Sequence, residues 1–250
     1  MIATPAWPPS SLPRLFVEET LAERAAITLD GPQAHYLAAV MRLRPGDRVK
    51  LFDDRTGEWL AELTDVSKKK VTLAVGTRLR EREDVPDLWL LFAPIKRGRI
   101  DWLVEKATEL GIARLVPILT RRTIVDRLNL DRLRAHAIEA AEQCERTALP
   151  ELAEPEKLAA VLAAWPQGRI LFFADEQGGE PLASIAAAPA AILIGPEGGF
   201  TDEERATIRA LPAARPVSLG PRILRADTAA LAAISIWMGG AGDWSRHADR

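Results

Sequence analysis

The sequence predicts an α/β protein in two parts: a small N-terminal β-barrel and a larger C-terminal domain built on a parallel sheet. Three observations predict it. Residues 14–76 read as short alternating or apolar runs split by turn residues, the pattern of closely spaced strands. From residue 88 onward, short apolar runs alternate with helical patterns, as in a parallel sheet covered on both faces. Two glycine-containing loops, Leu193–Phe200 and Leu219–Thr228, each follow an apolar run and lead into a helical pattern. Both therefore fall at the carboxyl edge of that sheet, where open parallel sheets bind ligands.

Residues 1–13 contain four prolines and read as a mobile leader, without the charged-then-apolar pattern of a signal peptide. Strands are expected at 14–17, 27–29, 48–52, 57–65 and 71–75, with Pro45-Gly46-Asp47 as a turn. One helical segment, 32–42, interrupts them and puts Tyr36, Leu37, Val40 and Met41 on one face. So many short strands in so short a span suggest a barrel over 14–76. The charged stretch 77–87, which closes on Val85-Pro86, reads as the linker, and 88–250 as the second domain. Its strands are expected at 88–93, 115–119, 170–174, 191–194 and 217–219, and its helices at 100–110, 130–147, 155–165, 201–211 and 228–238. Thr201 and Glu204 have capping-box spacing, which makes Gly198-Gly199 the loop just before a helix start.

A hydrophobic fraction of 48% and a charged fraction of 27% are those of an ordinary globular protein, and no apolar run is long enough for a membrane helix. Cys144 is the only cysteine, and His35, His136 and His247 are scattered. A disulfide framework and a metal site are therefore not expected, and a reducing cytoplasm is the natural setting. The net charge of −2 excludes a uniformly basic coat, yet basic residues cluster at Arg42/Arg44, Lys68-Lys69-Lys70, Arg78/Arg80/Arg82, Lys96/Arg97/Arg99 and Arg121-Arg122. Each cluster is either a solvated face balanced by nearby acids or part of a surface for an anionic partner.

Position favours the second reading for some of them. Lys96, Arg97 and Arg99 follow the first expected strand of the second domain, and Arg121 and Arg122 follow the second. They share the carboxyl edge with the glycine loops, which suits a small molecule bound beside an anionic partner. The dinucleotide fingerprint Gly-x-Gly-x-x-Gly and the phosphate loop Gly-x-x-x-x-Gly-Lys-Ser/Thr are both missing. Gly195-Pro196-Glu197 suits phosphate poorly, because proline lacks an amide donor and glutamate repels an anion. A neutral or cationic ligand fits better, and the sulfonium of S-adenosylmethionine is one such ligand. A non-catalytic RNA-binding protein and a nucleotide-using α/β enzyme are the competing classes.

The two glycine loops carry a family likeness, together with Glu105-Lys106-Ala107-Thr108-Glu109-Leu110-Gly111 and Glu139-Ala140-Ala141-Glu142-Gln143-Cys144. The chain resembles the SPOUT methyltransferases of the RsmE type over about residues 14–237. That resemblance implies a PUA-like N-terminal barrel for RNA and a C-terminal α/β domain with a deep trefoil knot. It also implies a homodimer and methylation of N3 of a specific uridine in 16S ribosomal RNA, with 16S rRNA or the small ribosomal subunit as partner. The implied cofactor is S-adenosyl-L-methionine, held mainly by backbone groups at Leu193, Gly195, Pro196, Glu197, Gly198, Leu219, Gly220, Ile223, Leu224 and Thr228, with Phe173 at the end of the preceding strand. Two positions depart from the family pattern. Ala226-Asp227-Thr228 stands where Thr-Glu-Thr is usual, and Glu145 follows Cys144 where glycine is usual.

Roles follow from the chemistry of the implied reaction. Uridine N3 carries a proton and is a poor nucleophile until that proton is removed or shared. An arginine beside the base oxygens would stabilise the developing anion by charge-assisted hydrogen bonds, and Arg225 is the candidate. Its other reading is a packing or dimer salt bridge. Glu197 reads as a base or sulfonium neighbour, or as a carboxylate that orders its loop. Glu142, Gln143 and Arg146 line the site from a partner subunit or hold the dimer, and Cys144 reads as a small apolar residue. His35 and Tyr36 read equally as RNA contacts or core. Arg42, Lys68, Lys69, Lys96, Arg97, Arg99, Arg121 and Arg122 are the expected contacts to rRNA phosphates.

Overall fold

The protein is described from a computed structural model that covers residues 12–124, 127–184 and 189–244. The leader expected at 1–13 lies outside the described residues except for its last two. The chain divides into two compact units. One holds the described residues up to Asp84 together with Ala141–Ala148; the other holds Val85–Ala140 and the described residues from Leu149 onward.

The N-terminal unit is a five-stranded sheet of β1 (Arg14–Phe16), β2 (Ala26–Asp30), β3 (Arg48–Phe52), β4 (Glu58–Val66) and β5 (Lys70–Arg80). Their order is β1-β3-β4-β5-β2, with β1 parallel to β3 and the other pairs antiparallel. Alternating residues such as Val49, Leu51, Ala61, Leu63, Val71, Leu73 and Val75 point to one side and form a single core. The helical segment is two short pieces, α1 (Gly31–His35) and a π-helical turn over Tyr36–Val40. Leu37 is buried there while Tyr36 and Val40 are exposed, so the single apolar face expected for 32–42 does not form. A wider turn rotates successive residues less than the 3.6-residue period assumes. Strand β5 runs to Arg80, so the first four residues of the stretch read as linker are ladder: Arg78 pairs with Trp59, and Arg80 with Glu58.

A buried ion cluster sits in this unit. Arg14 bonds Glu58, stacks on the Phe52 ring at 3.9 Å, and donates to the carbonyls of Ala141 and Arg146. Arg80 reaches the other Glu58 oxygen at 3.0 Å. Burial pushes the Glu58 carboxyl up, but hydrogen bonds from Arg80 and Arg14 outweigh it and hold the group below the ordinary carboxylate range. Glu142 accepts from the Phe16 N–H at 2.9 Å, and Glu83 accepts from the N–H groups of Thr147 and Ala148 at 2.8 and 3.1 Å. The family-like segment around Cys144 is thus stitched into the N-terminal unit through its backbone. Glu145, the departure from the family pattern, has φ of 64° and lies 3.7 Å from the Lys50 ammonium. A left-handed backbone there is the reason glycine would suit the position.

The second unit is an α/β layer structure. Its elements are β6 (Leu88–Phe92), α2 (Arg97–Glu109), β7 (Arg114–Leu119), α3 (Leu130–Gln143), β8 (Glu151–Leu152), β9 (Glu156–Lys157), α4 (Leu158–Ala163), β10 (Ile170–Ala174), β11 (Glu180–Pro181), β12 (Ala190–Ile194), α5 (Asp202–Ala210), β13 (Ala214–Ser218) and α6 (Ala226–Gly240). The last three residues of α3 cluster with the N-terminal unit. The strands run in the order β11-β13-β10-β12-β6-β7-β8, all parallel, with β9 also on β7.

Alternate residues of the central strands serve two cores. Leu90, Phe92, Phe172, Ile192 and Ile194 pack with residues of α2 and α6, while Leu91, Leu171, Phe173 and Leu193 pack with residues of α4 and α5. Strand β12 is buried along its whole length, as a central parallel strand must be. Gly111, with φ of 93°, ends α2: its N–H bonds Thr108 O and the Ile112 N–H bonds Ala107 O. That pair of bonds is a Schellman stop, which explains the glycine of the Glu105–Gly111 motif. The Thr201–Glu204 capping box forms with both reciprocal bonds, at 3.2 and 2.9 Å. Among the described residues no helix is long and apolar enough to cross a membrane.

Candidate active site

Strands β13, β10 and β12 are adjacent, so the loops that leave their carboxyl ends are neighbours. They enclose a cleft of about 650 Å³ lined by Asp175–Glu176, Gly195–Glu197, Leu219–Arg225 and parts of α5 and α6. That volume lies within the range of small-molecule sites, roughly 300–1,000 Å³.

The β12 loop is a tight turn. The Gly199 N–H bonds Pro196 O at 2.8 Å, and Gly199 has φ of 69°. A Cβ on Gly195 would lie 3.0 Å from the Phe200 ring, so glycine there lets Phe200 fold under the loop. Arg122 donates to the carbonyls of Gly198 and Phe200. The β13 loop turns at Gly220, whose φ of 110° an L side chain resists. From there the chain runs exposed through Ile223 to Arg225, the N-cap of α6. Asp227, in the first turn of α6, is buried and accepts from Arg99 at 3.0 Å. The shortened carboxylate of this departure from the family pattern is thus tied to a basic residue on α2.

The structure brings Gly195, Pro196, Glu197, Leu219, Gly220, Ile223, Leu224 and Arg225 together around the cleft. Four other expected cofactor residues are not among those that line the cleft. The side chains of Phe173 and Leu193 are buried in the core beside α4 and α5, so any contact they make with a ligand is through their backbone. Gly198 faces Arg122, whose Cδ would be 3.4 Å from an added Cβ, and Thr228 is exposed outside the lining. Among the described residues, neither the Glu197 carboxylate nor the Arg225 guanidinium has a side-chain partner, and both side chains are exposed on the cleft. Among the described residues no backbone amide donates to the Glu197 carboxylate and no acid pairs with Arg225.

The basic residues divide in the same way. Arg42, Lys68, Lys69 and Lys96 are exposed. Arg121 is exposed but bonds Glu204 Oε1 through its N–H at 2.8 Å, with Glu203 at 3.7 Å from its guanidinium. Half-buried Arg99 is engaged by Asp227 and exposed Arg122 by the carbonyls of Gly198 and Phe200, and the Arg97 side chain lies outside what is described.

Sequence reasoning missed the loop after β10. The buried Asp175 carboxylate accepts from Arg205 and from Arg209 Nη2 at 2.6 Å, and Glu176 accepts from Arg205 Nη2 at 2.8 Å. A Cβ on Gly199 would sit 3.0 Å from Glu176 Oε1, so the third glycine of the β12 loop makes room for this carboxylate. The signal was present: Asp175-Glu176-Gln177-Gly178-Gly179 also follows an apolar strand with a polar, glycine-containing turn.

Comparison with known proteins bears on the same residues. An RNA methyltransferase domain profile matches residues 81–238, and an RNA methyltransferase PUA domain profile matches residues 29–76. The ribosomal RNA small subunit methyltransferase E of Rickettsia conorii is 31% identical, over 89% of this chain and 93% of its own length. That of Synechocystis is 33% identical, over 89% of this chain and 76% of its own length. The chain belongs to the ribosomal RNA small subunit methyltransferase E family. A family member from Neisseria gonorrhoeae, solved with S-adenosyl methionine bound, superposes with a TM-score of 0.86 at 26% identity, covering 94% of this chain and 100% of that one. A methyltransferase of Legionella pneumophila, solved with bound cofactor SAM, gives 0.83 at 27% identity, covering 93% and 99%. Within this family, the residues of the cleft are candidates for binding the methyl donor.

Proposed function

We propose that this protein transfers the methyl group of S-adenosylmethionine to N3 of a uridine in the 16S rRNA of the small ribosomal subunit. The observation that carries the reading is the cleft: loops from three adjacent parallel strands converge, two through the glycine motifs, in a chain of this family. The residues present fit the donor. The cleft has the volume of a small-molecule site, backbone turns at Pro196–Gly199 and Gly220, and at Glu197 a carboxylate without a partner among the described residues, suited to a cationic ligand. Gly195, Pro196, Glu197, Leu219, Gly220, Ile223 and Leu224 would hold it, and when bound it supplies a methyl group made electrophilic by a sulfonium.

The chain's own residues do the rest. Arg225 stands at the N-cap of α6 with no partner for its guanidinium among the described residues, available to donate hydrogen bonds to the base oxygens as negative charge develops on the uridine. Glu197 accepts the N3 proton or faces the donor's positive charge. The turns position the reactants, a contribution worth up to roughly 7–11 kcal/mol in favourable cases. Exposed Arg42, Lys68, Lys69, Lys96 and Arg121 would contact rRNA phosphates, giving affinity that falls with salt.

The same reading includes a homodimer in the cytoplasm. Helix α6 carries Leu231, Ala232 and Ile236 only half-buried beside its buried residues, and Trp102 is exposed on α2, the helix packed beside it. A helix apolar on both faces is ordinarily covered. A trefoil knot is also part of it: β13 lies on the far side of β10 from β12, and α6 returns to pack on β12.

The test is methyl transfer from labelled S-adenosylmethionine to small subunits from a strain lacking this gene, with mass mapping of the 16S rRNA. One N3-methyluridine dependent on the protein is expected. Label in another nucleotide, or in none, would overturn the reading.

A further inference from the structure

We propose that Glu176, on the loop after β10, receives the ribose hydroxyls of the methyl donor in the cleft, while Glu197 remains for its cationic part. The inference rests on the methyl-donor reading above and adds a binding residue to it. Glu176 lines the cleft, and its side chain is 58% exposed although its Oε1 is fixed by Arg205 Nη2 at 2.8 Å. Arg205 is itself held by Asp175, which Arg209 also binds. The carboxylate is therefore aimed by a buried guanidinium that cannot easily move. Its position is further set by Gly199, where any Cβ would come within 3.0 Å of Oε1 and 3.4 Å of Oε2.

Charge decides what this carboxylate accepts. Asp175 and Glu176 are matched by Arg205 and Arg209, so the cluster is locally neutral. A neutral cluster offers a cation little attraction. A carboxylate with one oxygen committed to arginine still has free lone pairs for neutral O–H donors, and a pair of adjacent hydroxyls matches them. Glu197 is the opposite case: exposed on the cleft, with no basic partner among the described residues. The two acids are thereby sorted, Glu176 for a diol and Glu197 for positive charge.

The experiment is calorimetric binding of S-adenosylhomocysteine and of its 2′-deoxyribosyl and deamino analogues to the full chain and to Glu176→Gln and Glu176→Asp variants. Loss of one charge-assisted hydrogen bond is expected to weaken S-adenosylhomocysteine about tenfold in Glu176→Gln. The deoxy analogue should bind wild type and Glu176→Gln alike, and the deamino analogue should keep the tenfold difference. Equal penalties for the deoxy analogue in both proteins would overturn the inference. So would a deamino analogue that binds both alike, because that places Glu176 on the ammonium. No binding of S-adenosylhomocysteine to wild type would instead overturn the methyl-donor reading, and the inference with it. Glu176→Asp keeps the charge and the Arg205 partner but shortens the reach. It should lose affinity for S-adenosylhomocysteine while its unfolding temperature stays at the wild-type value, and unchanged affinity counts against the inference.

Discussion

Arg14 in the N-terminal unit and Arg225 at the cleft are the same side chain in opposite circumstances. Arg14 is buried, bonded to a buried glutamate, stacked on a ring and capped by two carbonyls. Arg225 is exposed and has no side-chain partner among the described residues. The acids divide likewise: Glu58 is 3% exposed and held by two arginines, whereas Glu197 is open on the cleft. The difference teaches how to read charge here. Where every donor and acceptor is matched, charge fixes the course of the chain. Where charge is left unmatched beside a cleft, it is available to a ligand.

The comparison breaks most sharply at Arg14. Arg14→Ala leaves Glu58 buried with only Arg80 and frees the carbonyls of Ala141 and Arg146. A loss of about 3–5 kcal/mol in urea unfolding is expected, as for other buried pairs stripped of one partner. A loss under about 1 kcal/mol would mean the cluster is worth no more than a surface pair. The same cluster should respond to acid. Because the folded Glu58 carboxyl lies below its ordinary value of 4.5, its contribution is complete above that value and is lost as pH falls through the folded one. Stability should therefore decline below pH 4.5 less steeply in Glu58→Gln than in wild type.

The cleft charges should show the reverse signature. Arg225→Ala is expected to keep stability and S-adenosylmethionine affinity while lowering methyl transfer by roughly 10²–10³, the usual effect of removing one donor from a developing anion. Equal loss of binding and turnover would make Arg225 a cofactor ligand. Glu197→Gln should weaken S-adenosylmethionine binding about tenfold, as loss of a counter-charge does. If donor affinity holds and turnover alone falls by about 10², the carboxylate is instead the base.

How much of this was legible follows from particular residues. The β12 and β13 loops stood out because glycine at a strand end has a backbone reason, and the structure supplies it at Gly195, Gly199 and Gly220. The capping box was legible because both partners are three residues apart. The side-chain directions of Phe173 and Leu193 were not legible, because strand alternation, which sends them into the core beside α4 and α5, depends on which sheet face each helix covers. The Arg14 cluster was invisible because its partners lie 44 to 132 residues away. Ala141–Ala148 reads as helix from its own pattern, yet what determines its place is a set of donors from β1 and β5 and the accepting carboxylate of Glu83. The basic clusters showed their sign but not their use, since Arg99 and Arg122 differ from Arg121 only in what lies opposite them.

Arg122 stands between the two kinds of charge and gives the finest test. It is an exposed residue at the sheet edge, as an RNA contact would be, yet its guanidinium donates to the carbonyls of Gly198 and Phe200 and so holds the β12 loop. Exposure weakens such bonds, so the effect should be small. Arg122→Ala is expected to raise the dissociation constant for S-adenosylmethionine about fivefold, roughly 1 kcal/mol. Arg122→Lys should recover only part, because an ammonium lacks the planar fork that spans two carbonyls. The salt dependence of rRNA binding should stay at the wild-type slope, since no phosphate contact is lost. A slope reduced by about one, with donor affinity unchanged, would return Arg122 to the RNA surface and leave the loop to its own turn.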